Sequence, residues 1–179
     1  VYLCGIIPGP KAPSLQQINH FLRPLIDEML EFWEGGVYMA RTALYKDGRL
    51  TRCAIIPLIA DLGVVKKTAG QASHSATWFC SFCKIQKKDL NNVYPETWGT
   101  RTCDEHRLHA YQWRDAATEK QRETLFKRHG VRYSELLRLP YWKPSRYVVL
   151  ETMHNLFLGI LQCHCRTFFG MDVKSASRD

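Results

Sequence analysis

The chain has 179 residues, 45% hydrophobic and 12% aromatic, enough to bury a core and too apolar for a disordered tail. Its 25 Lys and Arg outweigh 17 Asp and Glu, and the formal charge of +8 favours polyanionic partners. The longest apolar runs, such as Cys53 to Ala60, are too short to span a bilayer, so no membrane partner is expected.

In chain order, Val1 to Ile7 is an apolar, strand-like run broken by Pro8-Gly9-Pro10. With no initiator methionine ahead of that run, the expectation is a chain whose beginning lies upstream. Ser14 with Gln17 predicts a helix start. The spacing of Leu15, Ile18, Leu22, Leu25, Ile26, Met29, Leu30 and Trp33 carries the helix to Gly35-Gly36, with Pro24 expected to kink or split it. Tyr38 to Tyr45 and Leu50 to Ala60, flanking Asp47-Gly48, predict a hairpin with a bulge or edge at Pro57 and with Asp61 at its end. Residues 68–99 are irregular. Thr102 with Glu105 caps one long polar helix that should stop near Gly130. A short segment Ser134 to Leu139, a buried strand Tyr147 to Leu150, and an apolar helix from Thr152 complete the order. The pattern is α/β with one inserted lobe: a first part of a core at 1–67, a cysteine-rich insertion with the basic helix at 68–139, and a return to the core at 140–179.

Seven cysteines, an odd number with no secretory leader ahead of them, read as reduced thiols and metal ligands. Cys80-x-x-Cys83 and Cys103-x-x-His106, separated by 19 residues, match the spacing of a tetrahedral structural zinc site. His74 and His109 are rival ligands for the fourth position. A redox Cys-x-x-Cys would need a strand before it and a helix behind it, which these flanks lack. Cys163-His164-Cys165 lies among Ile160, Leu161 and Phe168 and reads as core.

Asp61 at the end of an apolar strand stands where nucleases of ribonuclease-H-like fold hold catalytic magnesium, although an Asp after a strand is more often a turn residue or helix cap. Glu151 and His154 lie one helical turn apart at a strand-to-helix junction and could share a face and meet a phosphate or a metal-bound carboxylate. The residues alone favour an acid complementing the helix dipole beside a packed histidine. On the polar helix, Arg107, Arg114, Lys120, Arg122, Lys127 and Arg128 alternate with Tyr111, Trp113 and Phe126, which suits a nucleic-acid face. The interspersed Asp115, Glu119 and Glu123 suit a solvated face equally.

The ordered set Ile7-Pro8-Gly9-Pro10-Lys11, Leu25-Ile26-Asp27-Glu28, Arg52-Cys53-Ala54 through Asp61, Ser73-His74-Ser75-Ala76, Cys80-x-x-Cys83, Leu139-Pro140-Tyr141-Trp142 and Met153 to Gly159 resembles the transposases of CACTA-type (En/Spm-like) DNA transposons. The resemblance covers nearly the whole chain. It implies a partial ribonuclease-H-like core with a zinc-binding, partly helical lobe. It also implies divalent-metal (magnesium or manganese) phosphoryl transfer at transposon-end DNA, nuclear residence and oligomerisation of the complete parent. Asp61 matches the family's second catalytic acid, and Glu151 with His154 occupies the place of its Cys/Asp-x-x-His motif. The first acid is expected upstream of Val1 and the third beyond the helix from Thr152, so the chain alone is expected not to cut DNA. The family's Asp-x-Pro-Ala reads Asp61-Leu62-Gly63-Val64 here, and Glu151 stands where Asp is commoner. The competing expectation is a zinc-stabilised, non-catalytic DNA- or protein-binding module derived from such a transposase.

Overall fold

Helix α1 (Gln17–Glu34) starts at the predicted reciprocal cap. Ser14 Oγ accepts from the Gln17 amide at 3.2 Å, and Gln17 Oε1 accepts from the Ser14 amide at 2.8 Å. A computed structural model describes residues 3–14 and 16–171 of the chain; Val1, Tyr2 and Leu15 lie outside them. Pro24 removes one helical hydrogen bond, yet α1 is not split. Contacts on either side of the proline hold it: Asn19 bonds the Tyr133 carbonyl and the Glu135 amide, and Asp27 pairs with Arg138 at 2.6 Å.

Of the expected first strand, the described residues Leu3 to Ile7 form no strand. Leu3 to Pro8 is irregular, and Leu3 and Ile6 are exposed, since no described segment pairs with it. The hairpin forms in reduced extent. Strands β1 (Val37–Met39) and β2 (Arg49–Thr51) pair antiparallel, Val37 opposite Thr51. The second arm breaks before Pro57, which cannot donate to a ladder, and resumes as β3 (Leu58–Ala60) in another sheet.

Strand β3 pairs in parallel with β4 (Val148–Leu150), Leu58 opposite Val148 and Ala60 opposite Leu150. Directly after β3 comes α2 (Leu62–Thr68), a short helix absent from the sequence expectation because seven residues carry too little periodicity to declare it. Val65 and Ala69 pack with Val148 into a small core under the parallel pair. The main core joins Ile26 of α1 to Val131, Tyr133, Leu136, Leu137, Leu139 and the fully buried Trp142.

The predicted long polar helix is two helices: α3 (Cys103–Asp115) and α4 (Glu119–His129). Thr118 opens a second capping box with Gln121, which starts a new helix where one had been expected to continue. Gly130 ends α4 with φ +67°, as predicted. The segment Met153–Leu161 and its continuation His164–Phe168 wind as π-helix. The reading of Cys163-His164-Cys165 as core is overturned: Cys163 is exposed, as are Ile160, Leu161 and Phe168, because no described element packs over them. The chain is mixed α/β with small sheets and several helices. No described helix is long and apolar enough to cross a membrane.

Candidate functional site

Asp61 follows the last residue of β3 and Glu151 the last of β4, so the parallel register brings residues 90 positions apart to one end of one sheet. The Glu151 amide donates to the Ala60 carbonyl at 3.2 Å, extending the ladder by one step. Equivalent positions on parallel neighbours face the same side. Both carboxylates also cap helices. Asp61 Oδ1 accepts from the Val64 amide at 2.9 Å, and Glu151 Oε1 accepts from the His154 amide at 2.9 Å. His154 Nδ1 also contacts Glu151 Oε1, and these two bonds hold the Glu151 carboxyl below its usual range.

Asp61 lines a cavity of about 490 Å³ with Lys66, Lys67, Gln71, Ser73 and His74. Lys66 and Gln71 were not foreseen. Lys66 is buried on α2, burial pushes its pKa down to about 8, and its ammonium bonds the Phe79 carbonyl. Gln71 is 6% exposed, and its Oε1 is buried without a hydrogen-bond partner. The available signal was the dibasic Lys66-Lys67 next to a strand-terminal acid, which calls for a charged face on whatever follows the strand.

The cysteine turn forms in part as the spacing requires. Amides of Phe82 and Cys83 point at Cys80 Sγ at 3.4 and 3.3 Å. Burial opposes ionisation of Cys80, but the Cys83 thiol, these two amides and the Lys66 charge together hold it below the ordinary thiol range. Burial first, then the bond to Cys80, pushes Cys83 up. Cys103 Sγ instead meets Ser145 Oγ at 3.0 Å. His106 is 3% exposed, with Nε2 unpartnered, in a cavity it shares with His109 and His129. His74 lines the same cavity as Asp61, and His109 stacks on His129 with centroids 3.6 Å apart. Among the described residues no group of three or more His, Cys, Asp or Glu stands close enough to hold a metal ion. Cys103 and His106 do not gather with Cys80 and Cys83 into such a group in this arrangement.

The basic residues of α3 and α4 sort by partner. Arg107 turns inward and donates to the carbonyls of Leu137, Leu139 and Trp142 at 2.7, 3.3 and 2.6 Å, clamping the main core segment. Arg114 pairs with Asp115, Arg122 with Glu119 and Lys127 with Glu123. Trp113 packs against the main core, and Arg122 lies over its ring at 5.7 Å, so Trp113 is not a free stacking platform.

The family model for "Transposase family tnp2" matches residues 1–117, well over half of the chain, and the chain belongs to that family. Among curated proteins none matches it. Family membership implies DNA as the general partner.

Proposed function

We propose that this chain is part of a CACTA-type transposase that cuts and joins transposon-end DNA by metal-dependent phosphoryl transfer. The observation that carries the proposal is the parallel β3–β4 pairing, which sets Asp61 and Glu151 side by side at the carboxyl end of the sheet. On this reading β3, α2 and β4 belong to a ribonuclease-H-like core that the complete protein finishes with further strands and acids. Asp61 and Glu151 would hold a magnesium or manganese ion, which polarises phosphoryl oxygens when bound. His154 orients Glu151 through two bonds, and Lys66, Lys67 and His74 line the Asp61 cavity with groups suited to phosphate. Zinc at Cys80 and Cys83 is a separate part of the proposal, supported by two thiols on one turn and the amides aimed at Cys80. Nuclear residence and oligomerisation follow only from the family's task.

The non-catalytic DNA- or protein-binding module is favoured by a specific observation: each carboxylate is engaged as a helix cap. Asp61→Asn separates the two readings, since Asn caps a helix about as well as Asp but lacks the charge a divalent ion needs. In the complete transposase the substitution should abolish end cleavage while DNA affinity and thermal stability stay at wild-type values. Full cleavage by the variant would sink the catalytic reading.

A further inference from the structure

The helical hairpin α3–α4 carries a groove that neither the strand-end carboxylates nor the cysteine turn uses. At one end lies a cavity of about 210 Å³ walled by Trp78, Arg101 and the stacked His109 and His129. A wider cavity of about 940 Å³ shares His109, Arg128 and His129 with it and continues past Lys120. The two cavities adjoin at these three residues, and the groove is this adjoining pair.

Its charge is unbalanced in a particular way. Of the acids on its walls, Glu105 is held by Lys84 at 2.7 Å, and Asp115 by Arg114 at 2.7 and 3.1 Å. Arg107, Arg114, Arg122 and Lys127, the other cations of the hairpin, are spent on core carbonyls or neighbouring acids. Lys120 and Arg128 are exposed and make no ion pair among the described residues, and both face this groove. Arg101 adds a third cation, its guanidinium anchored by the carbonyls of Cys83 and His129 at 3.1 and 3.4 Å. Lys120 and Arg128 are eight helical positions apart, about 12 Å along the axis, a span of three to four nucleotides at about 3.4 Å each.

We propose that the α3–α4 groove is a DNA-backbone contact, with Lys120 and Arg128 neutralising phosphates of one strand and Arg101 closing its narrow end. It rests on the DNA reading above and narrows it, taking the contact away from the rest of the basic hairpin. The contact is sequence-independent, since charge and spacing read phosphates and not bases.

The test is fluorescence anisotropy of a labelled duplex with the protein across a salt series. The groove variant Lys120→Gln/Arg128→Gln is compared with the control Arg122→Gln/Lys127→Gln, which removes the same charge from paired positions. The groove variant should bind about tenfold or more weakly, with the salt slope reduced by about two, while the control stays near wild type. Both pairs sit on α4, and circular dichroism verifies that each variant folds. Equal weakening of both variants, or of neither, with DNA still bound by the wild type, overturns the groove and leaves the DNA reading standing. No binding by the wild-type protein overturns both.

Discussion

Burial, and then the charges of Arg101, Arg107 and His109, push His106 down to about 3 from an ordinary 6.5. The folded value lies below the unfolded one, so between about pH 3 and 6.5 the unfolded chain binds the extra proton. Stability from this residue is complete above the upper value and falls as pH drops through the window. His129, also lowered mainly by burial, acts in the same direction. In the presence of a chelator, the urea midpoint should fall from pH 7.5 to pH 5, and His106→Gln should flatten that fall; equal slopes in both proteins would contradict it. Cys80 belongs to the same scale. If its turn holds zinc, the purified protein carries about one ion per chain and Cys80→Ser carries none. A wild type without zinc, or a variant with unchanged content, removes zinc from the account.

At the scale of elements, caps and glycines decide more than apolar periodicity does. The Ser14–Gln17 and Thr102–Glu105 boxes were legible, and both form. Thr118-x-x-Gln121 carries the same signal, but it sits inside a polar stretch that reads as one helix, so the break between α3 and α4 was missed. The strands were over-extended because Cys53 to Ala60 is an unbroken apolar run following Leu50, while Pro57 and the competing β4 pairing divide the arm between two sheets. Helix α2 ends against the segment after α4: Arg132 donates to the Lys67 carbonyl at 2.5 Å and Ser134 to the Thr68 carbonyl at 2.7 Å, satisfying carbonyls the helix leaves open. Gly70 makes that approach feasible, with φ +73° and no room for a Cβ beside the Arg132 carbonyl. Gly70→Ala should cost at least about 2 kcal/mol, read from denaturant midpoints. A variant as stable as the wild type would show that the close approach between Gly70 and Arg132 is dispensable.

For the whole molecule, much of the motif set that carries the family resemblance turns out to hold the fold together. Ile26 is a core residue, Asp27 anchors Arg138, Trp142 is buried, and the Tyr141 ring packs at a tilt against Trp33 while its hydroxyl accepts the Ile55 amide. The candidate site was legible as separate residues. Asp61 and Glu151 could each be marked as a strand-end acid, but their apposition depends on a parallel pairing between segments 90 positions apart, which local pattern does not encode. Cys103 and His106 show the reverse. Their spacing suggests convergence, and the fold sends one to Ser145 and the other into the histidine-lined cavity.

On the proposed reading the two strand ends form one divalent-cation site. Its most direct test is paramagnetic broadening of backbone amide signals on titration of the isotope-labelled protein with manganese. The account predicts that amides around Asp61 and around Glu151 broaden together at the same low manganese concentration, and that Asp61→Asn abolishes both effects. Broadening confined to other residues, or at one strand end alone and indifferent to Asp61→Asn, would contradict a shared site and leave the two acids as helix caps.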